Sequence, residues 1–195
     1  GTKLYVEDVP VNVEQVLGDD WVIYRSPERR FSYQTSIPMM PGFNAVLVEG
    51  TVSRMITPDA PRPFTDRDET QPIYADLYYV RNQFGKTFRY GTPEPVEVQD
   101  AYGNIVQLRV AAEVEHGVDD VRKLLSWSGH HELKSDDFET EGRVLRSTTV
   151  SYFNEAVHSA AEKLLQSGET LTAVKLANQA RDDMNRLLID GIGLT

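Results

Sequence analysis

Apolar residues fall on alternate positions over residues 105–114. Val106, Leu108, Val110, Ala112 and Val114 are apolar, and Gln107, Arg109 and Glu113 between them are polar. A period of two with one wet row predicts a half-buried strand. Val96 and Val98 alternate with Glu97 and Gln99 in the same way, and residues 100–104 join the two runs with Gly103 inside. That spacing predicts an antiparallel hairpin. Pro93 and Pro95 keep the approach to it extended. Further strands are predicted where short apolar runs meet turn residues. These cover 21–24 before Ser26-Pro27, 31–37 before Pro38, 44–49 and 51–56 around Gly50, and 73–81 with Ile73, Ala75, Leu77 and Tyr79 on one face.

The period then lengthens to that of a helix. Residues 118–127 turn helical and stop at Ser128-Gly129. Residues 136–166 predict one long helix capped by Ser135, with Leu145, Thr149, Tyr152, Phe153, Ala156, Val157, Ala160 and Leu164 at steps of three and four. Gly142 is a weak point near its start. A second helix follows a cap at Thr170, with Val174, Ala177, Ala180, Met184, Leu187 and Leu188 on its inner side. Asp182-Asp183 is expected on its exposed face beside Arg181 and Arg186, and residues 192–194 open a last strand. The expectation is an α+β fold: a curved, mostly antiparallel sheet of about five to seven strands packed on helices from Val118 onward, with a long C-terminal helical segment. Residues 1–20 read as a loose lead-in, 21–135 as the sheet and first helix, and 136–195 as the helical segment completing the domain.

The order of these elements, and the phrase over residues 88–100, resemble the SPFH domain shared by stomatin, prohibitin and flotillin. The phrase is similar to that of the soluble bacterial branch, sometimes described as virion core protein-like. The residues that carry the resemblance are Phe88, Gly91, Thr92, Pro93, Pro95, Val96, Asp100, Gly103, Val106, Leu108, Val110, Val118, Asp120, Leu124 and Leu125. The likeness runs from about Ser36 to the C-terminus. Residues 42–44, Gly-Phe-Asn, depart from the glutamine found there in many relatives. The resemblance implies a scaffold without catalysis, which self-associates, organises other proteins and works at a membrane through regions outside this chain. It implies a cytoplasmic place, peripheral to the inner face of the membrane. The long helix has more apolar length than the expected sheet can cover, which fits pairing with another chain. Two other readings differ in class: a small hydrolase or binding enzyme with its site beside the 57–72 loop, and a peptide-binding adaptor using a sheet edge.

Charge narrows the partners. The 195 residues carry a net charge of −10, which opposes nucleic acid and anionic lipid alike. The chain has no cysteine, so disulfides, thiol catalysis and Cys-ligated zinc are excluded. No apolar run approaches the roughly 18 residues of a membrane span. The chain opens at Gly1 instead of methionine, which reads as a cloning remnant with native residues missing.

Residue patterns that could carry chemistry read as structural. His130-His131-Glu132 lacks the i, i+4 spacing of a helical zinc pair, and His116 and His158 are distant in sequence. Asp119-Asp120 and Asp136-Asp137 read as first-turn helix acids. Asp66, Asp68 and Glu69 sit with Arg62 and Arg67 in the proline-rich stretch 57–72, an ordered surface loop whose Pro61-Arg62-Pro63-Phe64 could otherwise present an extended ligand. Ser126-Trp127-Ser128-Gly129 is no nucleophile elbow, and Gly85-Lys86-Thr87 lacks the rest of a phosphate loop. Gly91 and Gly103 read as turn glycines where a Cβ would clash or φ is positive. Tyr74, Tyr78, Tyr79, Phe84, Phe88 and Tyr90 read as core and sheet surface. No catalytic residue, metal site or cofactor is expected.

Residues 136–190 hold ten acids and six bases, against the basic polar face of an interfacial helix. The purified chain is therefore expected to stay off liposomes rich in anionic lipid at low salt. Flotation that carries the chain up with the vesicles, and weakens on adding salt, would overturn this expectation.

Overall fold

The computed structural model describes residues 20–195, which form two compact units of an α+β chain. The first holds residues up to Phe84 together with Val121–Ser135, and the second holds Gly85–Asp120 with Asp136–Thr195. The hairpin region thus groups with the C-terminal helices, not with the strands that precede it. The lead-in expected over residues 1–20 lies, but for Asp20, outside the described residues.

In the first unit, β1 (Trp21–Arg25), β3 (Phe43–Glu49), β4 (Val52–Ile56), β6 (Asp76–Arg81) and β11 (Leu133–Lys134) form an antiparallel sheet in the order β11-β1-β6-β3-β4. The short strands β2 (Arg30–Phe31) and β5 (Ile73–Tyr74) pair beside it. Strand β6 is central. Its Leu77, Tyr78, Tyr79 and Val80 are all buried, because both faces of a middle strand are covered and strict alternation is lost. The helix α1 (Val121–Trp127) buries Leu124 and Leu125.

Two expectations shorten here. The strand predicted over 31–37 ends at Phe31, because Ser32 N–H donates to Thr35 Oγ1 and Thr35 N–H to Ser32 O, closing a turn. The run 73–81 breaks at Ala75, whose N–H donates to Arg29 O. The proline-rich loop is pinned by Phe64, which is fully buried. Its ring lies 5.9 Å from Phe31, with the guanidinium groups of Arg54 and Arg67 5.5 and 5.6 Å from its centre. Arg54 also donates to Pro63 O, and Ile37 N–H to Pro61 O. An extended ligand built on Pro61-Arg62-Pro63-Phe64 would have to give up that core aromatic.

In the second unit the hairpin forms as predicted. β8 (Val96–Gln99) pairs β9 (Ile105–Leu108), from Val96 opposite Leu108 to Gln99 opposite Ile105. Strand β7 (Gln83–Gly91), from Gly85 onward part of this unit, pairs β10 (Ala111–Gly117). β9 and β10 are one chain path that changes partner at Val110: Thr92 N–H donates to Val110 O, and Val110 N–H to Thr92 Oγ1. The sheet expected to hold about five to seven strands is therefore one five-stranded sheet and three two-stranded pairs among the described residues.

The long helix predicted over 136–166 is two helices, α2 (Asp136–Glu139) and α3 (Val144–Gln166). Gly142 sits between them at φ 88°, a conformation that ends a helix and that only glycine adopts without strain. In α3 the predicted stripe is buried, with Tyr152 half-buried. In α4 (Ala173–Ile192) the expected inner face holds at Met184 and Leu188, and its start differs. The cap is Thr172, not Thr170: its hydroxyl accepts from Lys175 N–H. Val174 is exposed, and Leu176, Asp183, Met184, Leu188 and Ile192 are buried.

Asp183 is the larger correction. It is buried where an exposed acid was expected, and its Oδ1 accepts from Lys163 (2.8 Å), Arg186 (3.1 Å) and Gln179 (3.2 Å). Burial alone would raise its pKa, but the hydrogen bonds and charge of Lys163, with help from Gln179, outweigh burial and hold it below the ordinary 3.8. The ion pair ties α3 to α4. Its contribution is full above the unfolded value and is lost as pH falls through the lower folded value. Asp183→Ala is expected to lower stability by about 2 kcal/mol in denaturant titration, since the two cations left behind are half-exposed and can be hydrated. A change within error would show that the pair adds nothing.

Candidate functional site

The residues singled out for chemistry are not drawn together. Among the described residues no group of three or more His, Asp or Glu side chains is placed to share a metal ion. His130 and His131 are exposed in the turn after α1, where His130 has φ 62° and its ring lies 5.8 Å from Tyr78. Glu132 accepts from Arg25 N–H. His158 lies on α3, 3.7 Å from Glu162. Asp136 and Asp137 are in the first turn of α2 as expected. Asp119 and Asp120 precede α1, and their N–H groups donate to Gly193 O. Gly85-Lys86-Thr87 is part of β7, with Lys86 paired to Glu139 at 3.1 Å. Arg67 reaches both carboxylate oxygens of Glu49, and Asp68 accepts from Thr70. Tyr74 is exposed, and Tyr78, Tyr79, Phe84, Phe88 and Tyr90 are core.

The hairpin turn is built by Asp100, whose carboxylate accepts from Tyr102 N–H and Asn104 N–H; those bonds hold its pKa low. Gly103 takes φ 82° there with open space around it, so the requirement is conformational and not a clash. Gly91 has ordinary φ and only Val110 O within 4 Å, so the expected turn role does not apply to it.

His116, read from sequence as one isolated histidine, is the buried polar centre of the second unit. Its Nδ1 lies 2.8 Å from Thr195 O and its Nε2 2.7 Å from the Tyr90 hydroxyl. A carbonyl oxygen only accepts, so Nδ1 carries the proton and Nε2 accepts from Tyr90. Its ring stacks on Phe138 at 5.0 Å and lies 5.8 Å from Phe88. Burial pushes the His116 pKa down, against the smaller upward pull of the Thr195 bond, so the ring is neutral. Burial likewise pushes the Tyr90 hydroxyl up to about 12, and it stays a donor. Tyr90 and His116 are nearly inaccessible, and this cluster joins β7, β10 and Thr195.

An open feature of this unit is an apolar groove. A groove of about 910 Å³ runs between the strand of residues 108–115 and α4. Val110, Ala112 and Val114 form one wall and Leu176, Ala180 and Met184 the other. The predicted apolar row is on the inner face as expected, yet it is only half-buried, because nothing among the described residues fills the groove. Sequence periodicity identified the strand wall. On the helix wall Ala177, Ala180, Met184 and Leu188 fall where helical spacing put them, and Leu176 was missed. At the far end of the hairpin Tyr102 and Ile105 are exposed.

No helix among the described residues is long and apolar enough to cross a membrane. A scan against models of protein families finds no match, and a search among curated proteins finds none either.

A neutral buried His has a pH signature. Its folded pKa is below the unfolded value of 6.5, so its contribution is full above 6.5 and stability falls as pH drops toward the folded value. Thermal unfolding temperature is expected to decline from about pH 7 to about pH 5. His116→Gln should be less stable at neutral pH and show a smaller decline over that range. An equal decline in wild type and variant would remove His116 as the cause.

Proposed function

We propose that this chain is a non-catalytic scaffold domain of the SPFH type, which acts by self-association and so holds partner proteins in an ordered array. The observation that carries the reading is the apolar groove of the second unit, open along a strand, with Leu176 and Met184 at its wall. Apolar surface of this kind beside a strand suits a protein contact better than a small polar substrate. The resemblance over residues 88–125 supports the class, by analogy of pattern. Membrane attachment, in this reading, comes from a partner or from regions outside this chain, and the place of work is the cytoplasmic face.

Sedimentation velocity from micromolar to submillimolar concentration tests the reading. The weight-average sedimentation coefficient is expected to rise with concentration. A strict monomer throughout would overturn self-association by these residues.

A further inference from the structure

We draw no further inference here: the strongest candidate, the apolar groove of the second unit with the strand edge of residues 107–115 beside it, carries nothing, because Leu194 and Thr195 already pair onto Val118 and Gly117 of that edge and nothing in the structure shows what covers the remainder.

Discussion

His116 sets the terms for the second unit. A polar ring buried among Phe88, Tyr90 and Phe138 is tolerable only if both nitrogens are satisfied. One bond comes from β7 through Tyr90, and the other goes to the end of the chain at Thr195. Three segments far apart in sequence are thereby held at one point. The same joint brings Leu194 beside Val118, antiparallel, and Thr195 N–H onto Gly117 O.

Backbone alternation gives the β9–β10 path two edges. Each residue of a strand turns its N–H and C=O to one side only, so a path paired along its even residues must present its odd ones elsewhere. Helix α4 is fixed against α3 by Asp183 and Lys163, on the far side of the groove from the strand. Its apolar wall and the half-buried row of the strand face a common space. An ion pair on the buried Asp183 and a buried histidine thus fix the elements that bound the apolar groove. Their own net effect on stability is modest beside burial of the surrounding aromatics, since desolvation offsets much of what the charges gain.

Much of the local structure was legible in the chain. The hairpin, its Asp100–Gly103 turn, the strands at 43–49 and 52–56 and the stripe of α3 follow from alternation, turn residues and helical spacing. The errors have physical causes. Gly142 divides a helix because its backbone turns left-handed, and apolar spacing on either side cannot report that. The start of α4 was set at Thr170 instead of Thr172 because both are good caps by composition, so Val174 was counted on the inner face although it is exposed in the first turn. Asp183 looked like its exposed neighbour Asp182, because a cation twenty residues earlier on another helix is invisible to local pattern.

By itself, then, the sequence determined which segments alternate and which wind, because these depend on neighbours within a few residues. The tertiary structure alone decided that His116 is a buried neutral joint, that Asp183 is an inter-helix tie, and that an apolar groove lies between the strand of residues 108–115 and α4. Those properties depend on which distant segments meet. Burial, pairing and the remaining open surface exist only once the chain has closed on itself.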